Sequence, residues 1–377
     1  MLKTSLAARA VFEMKNSDEL EALLAAYDFD LPTEQLALRP PSVRGRSRLL
    51  VVHPSGETAP ADRLFADLGE YLRAGDLLVL NEARVSKRRV PLRRGTGARL
   101  EALFLSEEPG GAWRCLIRGK RRIKAGEALQ GPSRDVRFRY RGESGDGASY
   151  VLSPELADGK PAWTRAGEAE NYFAAFGETP LPPYLNRPAD EADQDRYQTV
   201  YANTPGSVAA PTAGLHFPPS MLESLEGIGV HIVRLRLDVG YGTFAPLQLR
   251  QYQTGELHEE QYEIGEEAAG LLNNRAPGSR LLAVGTTTLR ALESNRRQFG
   301  VFRPGRHRTR LFLRPPDRPR TADMLLTNFH LPRSSLLMLV ACLLGREHSL
   351  EVYRRAIDLG YRFYSYGDAM LILPFST

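Results

Sequence analysis

The sequence predicts an α/β domain interrupted by a small, basic β-barrel. Three observations carry this reading. Strand-turn-helix units stand on both sides of the middle region. Between them, residues 86–154 form short segments separated by glycine-rich turns. That stretch also gathers much of the positive charge.

In chain order, Met1 to Lys15 is basic, has no acid before Glu13 and lacks the apolar core of a secretory signal. It reads as a disordered extension, or the true start lies at Met14. Residues 1–28 are set apart on that ground. Residues 18–27 read as a short helix and 47–53 as a buried strand. A helix around 61–74 leads to a second strand, Asp76–Leu80. Short runs follow at 98–105, 113–118, 135–141 and 149–153, at the regular spacing of a small barrel. In 136–141, Val136, Phe138 and Tyr140 alternate with Arg137, Arg139 and Arg141, which buries one face and sets a row of arginines on the other. From 155 the α/β pattern returns. Arg280–Val284 reads as a strand, Gly285–Thr288 as a turn and Leu289–Phe299 as an amphipathic helix. Met324–Leu326 is a strand followed by a polar loop, and Ser334–Leu344 is a buried helix closed by Gly345. The α/β domain therefore takes 29–85 and 155–377, with 86–154 inserted.

Composition excludes several classes. At 42% hydrophobic and 25% charged residues, the 377-residue chain is neither disordered nor collagen-like. Two cysteines, Cys115 and Cys342, build no disulfide framework and no Cys-x-x-Cys motif, which fits a reducing cytoplasm. The longest apolar run, Leu336–Leu344, has nine residues, against about 20 for a membrane span. The net charge is +5, carried by 6 Lys and 44 Arg against 45 acids. Residues 84–124 hold 13 basic and three acidic side chains, so the rest of the chain is net negative. Such a patch is the footprint of a polyanion-binding surface. The plainer reading is a solvated face in a protein whose coding bias favours Arg.

Four polar loops flanked by apolar elements are candidates for chemistry. Arg196–Tyr201 contains Tyr197 and Gln198. Gly206–Phe217 has glycines and Pro211 that constrain its backbone, so that Thr212 and His216 point into a cleft. Gly285–Arg290 offers free N–H groups, the hydroxyls of Thr286, Thr287 and Thr288, and Arg290, a site for a carboxylate or phosphate. Plain threonine capping needs only one hydroxyl. Thr327–Arg333 places Asn328 and His330 at the carboxyl end of a strand, where open α/β sheets bind ligands. No histidine pair has metal-ligand spacing, so no metal is expected. Leu237–Phe244 resembles the glycine-rich first motif of class I methyltransferases, but Phe244 stands where a glycine is needed, and that reading fails.

These loops belong to a longer resemblance. The blocks Phe29–Pro32, Ser47–Val51, Gly75–Asn81, Pro180–Tyr184 with Arg187, Arg196–Tyr201, Val208–Phe217, Ala283–Thr287, Leu326–Pro332 and Ser365–Met370 run in order over residues 29–372. In them the sequence resembles the S-adenosylmethionine:tRNA ribosyltransferase-isomerase family of queuosine biosynthesis. The resemblance implies a three-layer α/β/α domain with an inserted β-barrel. It implies an enzyme that moves the ribosyl part of S-adenosylmethionine onto 7-aminomethyl-7-deazaguanine at the tRNA wobble position. The product is epoxyqueuosine, with adenine and methionine released. S-adenosylmethionine would be a co-substrate, with no other cofactor, in a cytoplasmic monomer that touches no membrane. The alternatives are a paralogue with another acceptor, or an RNA-binding protein without catalysis. The sequence departs from the family pattern at Asp238, usually His, and at Gly255, also usually His.

For this reaction the sulfonium acidifies the C5′ protons, and a base titrating near neutrality should remove one. His216 or His330 is expected to serve, with Tyr197 or Thr212 orienting it. Gly285, Thr286, Thr287, Thr288 and Arg290 would take the methionine carboxylate. Asn328, Gln198 and Arg187 complete the expected substrate contacts. The RNA is expected on Arg88, Arg89, Arg121, Arg122, Lys124, Arg137, Arg139 and Arg141.

Overall fold

The computed structural model describes residues 17–119, 123–145, 148–163, 165, 167–240, 242 and 246–374. Two sheets dominate it. The larger has nine strands, in the order β15 (Gly305–Leu311), β13 (Glu256–Ile264), β12 (His231–Asp238), β3 (Leu77–Asn81), β14 (Leu281–Val284), β16 (Met324–Asn328), β17 (Ala369–Ile372), β1 (Arg48–Val52) and β2 (Ala61–Leu64). Its centre, β12-β3-β14-β16, is parallel. The outer pairs β15-β13-β12 and β1-β2 are antiparallel. β3, β14 and β16 are buried along their whole length, as strands covered on both faces must be.

Alternation along these strands feeds two separate cores. Leu50, Val52, Leu77, Val79, Leu281, Ala283 and Leu325 pack on one face, against Leu289 and Leu292 of helix Thr286–Phe299 and Leu337 of helix Ser335–Leu344. Leu49, Val51, Leu78, Leu80, Leu282, Val284 and Leu326 pack on the other, against Phe65, Leu68 and Leu225 of helix Pro219–Gly227. The sheet is thus sandwiched between two helical layers, the expected three-layer arrangement.

The second sheet is a closed barrel, β10 (Tyr150–Glu155), β7 (Ala112–Arg118), β6 (Arg99–Glu108), β5 (Arg89–Arg93), β8 (Ala128–Gln130) and β9 (Arg137–Glu143). Val136, Phe138 and Tyr140 face its core, around the fully buried Trp113. Trp163, Tyr172 and Phe173 fill the same core, so its packing runs past residue 154. A two-stranded parallel ribbon, β4 (Arg84–Val85) with β11 (Pro205–Ser207), lies where the chain leaves for the barrel.

Some expectations need correction. The helix expected around 61–74 is shorter and of 3-10 type, Phe65–Tyr71, and the residues before it form β2. Asp62 there accepts from Arg48 across the β1-β2 pair, which holds those residues extended. Residues from 17 onward are not an extension, since Leu20, Leu24 and Tyr27 enter the main core. The reading of Met1–Lys15 lies outside the described residues.

Candidate active site

A cleft, partly open to solvent, lies at the carboxyl ends of β14 and β16. Gly285, Thr286 and Thr287 form one wall, and Thr327, Asn328, Phe329 and His330 another. Ala210–Ala213, Val239, Tyr364 and Ser365 complete it. Ends of parallel strands are where such sheets bind ligands.

Local sequence explains the walls. Gly285 adopts φ 91°, a conformation open to glycine, as β14 turns into the helix that begins at Thr286. Its N–H donates to Leu326 O at 2.7 Å, tying the turn to β16. The helix starts earlier than the expected Leu289, because the threonines themselves form its first turn. Gly214 permits a close approach: a Cβ there would lie 2.0 Å from the Tyr201 hydroxyl. Tyr364 holds φ 77°, rare for a residue with a side chain, and its N–H donates to Phe329 O.

The two expected histidines are both nearly buried but sit differently. His330 lines the cleft, with Nε2 3.0 Å from Thr327 Oγ1 and its N–H donating to Tyr353 Oη at 3.2 Å. His216 lies behind the wall. It lines a smaller cleft with Arg44, Ser47 and Arg196. Its ring stacks on Phe65, centroids 4.9 Å apart. Its Nδ1 is 2.6 Å from Ser47 Oγ, and its Nε2 accepts from Asn328 Nδ2 at 3.2 Å. Neither histidine titrates near neutrality as expected: burial alone drives His330 down to about 3, and burial helped by Arg362 and Arg44 drives His216 down to about 3.

Of the other expected residues, Thr212, Gly285, Thr286, Thr287 and Asn328 meet at the cleft. Thr288 donates to Val284 O at 2.7 Å and does not line it. Arg290 points elsewhere, paired with Glu260 at 2.6 Å and donating to Leu311 O, because a buried guanidinium needs a carboxylate. Tyr197 is fully buried against Tyr366. Gln198 braces β4 through both backbone groups of Val85. Arg187 clamps Asp193 with bonds of 2.5 and 2.8 Å. These four are struts around the site. Sequence reading missed Ser47, Ser365 and Tyr364; lone hydroxyls beside apolar runs gave little to separate them from ordinary core.

The expected RNA surface divides. Arg88 pairs with Glu170 and lies over the Phe104 ring. Arg89 donates to Leu181 O and faces Glu101. Arg139 and Arg141 share Glu155. Lys124 and Arg137 are exposed with no carboxylate in salt-bridge range among the described residues. Arg121 and Arg122 lie outside the described residues. The two departures from the family pattern have local partners: Asp238 is held by Arg236, and Gly255 ends helix Leu249–Thr254 at φ 69°. Among the described residues, no three His, Cys, Asp or Glu side chains group as a metal site, and no helix is long and apolar enough to cross a membrane.

Comparison with known proteins adds to this geometry. The model of a family described as queuosine biosynthesis protein matches residues 24–372. The chain is 46% identical over 351 residues to an S-adenosylmethionine:tRNA ribosyltransferase-isomerase of Thermus thermophilus, covering 93% of this chain and 99% of that protein. It is 44% identical over 362 residues to the protein of that name from Gloeobacter violaceus, covering 95% and 97%. A crystal structure of an S-adenosylmethionine tRNA ribosyltransferase from Thermotoga maritima superposes with a TM-score of 0.50 at 31% identity, over 92% of this chain and 100% of that one.

Proposed function

The chain belongs to the queuosine biosynthesis protein family, and from that premise we infer that it is an S-adenosylmethionine:tRNA ribosyltransferase-isomerase. It transfers and isomerises the ribosyl moiety of S-adenosylmethionine onto 7-aminomethyl-7-deazaguanine in tRNA, leaving epoxyqueuosine and releasing adenine and methionine. The observation that carries this is 46% identity, with 99% of the relative's length covered, to a protein of that name.

We propose roles for the residues on the cleft. The N–H groups and hydroxyls of Thr286 and Thr287, in the first turn, receive the methionine carboxylate, favoured by the positive end of a 14-residue helix. His330 takes the C5′ proton that the sulfonium acidifies. It is neutral at pH 7 and so able to accept a proton, although burial makes it a weaker base than a free imidazole. The ylide so formed drives loss of adenine, and the substrate amine then attacks. Thr212, across the cleft, orients the ligand. Lys124 and Arg137 contact RNA phosphates.

Further proposals concern the setting. S-adenosylmethionine is the co-substrate and no metal or redox cofactor is required; scattered histidines and two separate, buried cysteines support this. We propose that the protein works as a cytoplasmic monomer. The deciding assay incubates the protein with S-adenosylmethionine and tRNA bearing 7-aminomethyl-7-deazaguanine and follows adenine release. His330→Ala should slow it roughly 10²-fold. Wild-type protein that releases no adenine with this tRNA would overturn the function. Turnover abolished by chelation and restored by one metal would overturn the cofactor reading.

A further inference from the structure

Asn328, the last residue of β16, is 2% exposed and lines the large cleft. Its two amide atoms have different fates. Nδ2 donates to His216 Nε2. Oδ1 is buried and has no partner among the described residues.

That asymmetry is set from behind. A ring nitrogen that accepts from an amide carries no proton, so the His216 proton resides on Nδ1 and is donated to Ser47 Oγ, 2.6 Å away. Stacking on Phe65 sets the plane of the imidazole, and its bonds to Ser47 and Asn328 distinguish its two nitrogens. Ser47 itself is 1% exposed at the start of β1. With the ring fixed in one tautomer, the Asn328 amide is fixed in one orientation. A buried acceptor on a residue that lines the cleft, with no partner among the described residues, leaves room for a donor from the ligand.

We propose that Ser47 and His216 are positioning residues that hold the Asn328 amide with Oδ1 toward the cleft, as an acceptor for one N–H or O–H donor of bound S-adenosylmethionine. This rests on the function inferred above. It gives His216 a place in the reaction without contact with the reacting atoms. It also makes the site selective: an acceptor at that point of the cleft repels a carboxylate, consistent with that group lying at Gly285–Thr287.

The test uses the full chain and S-adenosylmethionine alone, with binding followed by calorimetry and the His216 tautomer by nitrogen-15 NMR. The Nδ1–H tautomer is expected, and an Nε2–H tautomer overturns the proposal. Asn328→Ala and His216→Ala should each weaken binding about three- to tenfold, the scale of one hydrogen bond. The double variant should bind no worse than the weaker single one. Independent, multiplying losses overturn the coupling. Ser47→Ala should weaken binding and Ser47→Thr restore it, and these variants with the tautomer carry the test if His216→Ala fails to fold. Analogues lacking the ribose 2′-hydroxyl, the 3′-hydroxyl or the adenine amine identify the donor: one of them should bind wild type more weakly yet bind Asn328→Ala as S-adenosylmethionine does. If none behaves so, Oδ1 accepts no ligand donor. Wild type that binds no S-adenosylmethionine would sink the functional reading itself, while the tautomer still reports on the relay.

Discussion

His216 and His330 are buried bases, and their titration has measurable consequences. Both are held near 3 in the fold against 6.5 when free. Between those values the unfolded chain binds more protons than the native one. Their stability contribution is therefore complete above about 6.5 and is lost as pH falls toward 3. Asp193, held well below the usual carboxylate range by bonds from Arg187, the Asp190 N–H and Tyr366, pushes in the same direction, so a difference measurement is needed. The urea midpoint of His330→Gln should fall less steeply than wild type between about pH 7 and about pH 4.5. An equal fall would mean that His330 is not held neutral. Arg187 makes the converse point. Sequence reading gave it to the substrate, yet it makes two bonds to Asp193, which is 1% exposed. Asp193→Asn should cost about 3 kcal/mol in urea unfolding, and the folded protein should keep its S-adenosylmethionine affinity. Residue type and spacing pick out polar loops, but not which arginine has a buried carboxylate waiting 6 positions along or, like Arg290, 30 positions back.

At the level of elements, much was legible where a pattern repeats. The alternation Val136-Arg137-Phe138-Arg139-Tyr140-Arg141 marks an inward and an outward face, and the inward three are buried in the barrel. The Gly285 turn and the Thr327–His330 loop were readable because glycine and polar groups interrupt apolar strands. The first part of segment 61–74 was misread because its apolar spacing fits a helix, whereas the partner that keeps it extended is β1. Gly214 was quoted only as part of a motif, and its reason is steric: the loop presses against Tyr201. Gly214→Ala should therefore cost about 1–3 kcal/mol through overpacking. Tyr201→Phe in the same chain should recover part of that loss, since it removes the nearest atom. Thermal melts of the two single variants and the double variant check this, and strict additivity would mean that the strain arises elsewhere.

For the molecule as a whole, net charge pointed to a nucleic-acid partner but overstated how much of it is available. Of the barrel arginines, Arg88, Arg89, Arg94, Arg139 and Arg141 stand within salt-bridge range of Glu170, Glu101, Glu127 or Glu155. Those acids are spread along the chain from 101 to 170, so a local count around 84–124 misses three of them. A cation already paired releases few counterions when RNA arrives, whereas an exposed one replaces a condensed ion directly. The salt dependence of tRNA binding should thus rest on a minority of the basic side chains. Replacing Lys124 and Arg137 together by Ala should lower the slope of log affinity against log salt by roughly one for each side chain that touches a phosphate. Arg88→Met should leave the slope unchanged and lower the melting temperature, because its loss strands Glu170 and uncovers Phe104. Filter binding at several salt concentrations, beside thermal melts, separates the two kinds of arginine. Equal slopes for wild type and the Lys124/Arg137 variant would move the RNA surface away from these two side chains, with Arg44 and Arg196 at the smaller cleft, which donate to backbone carbonyls, next to test.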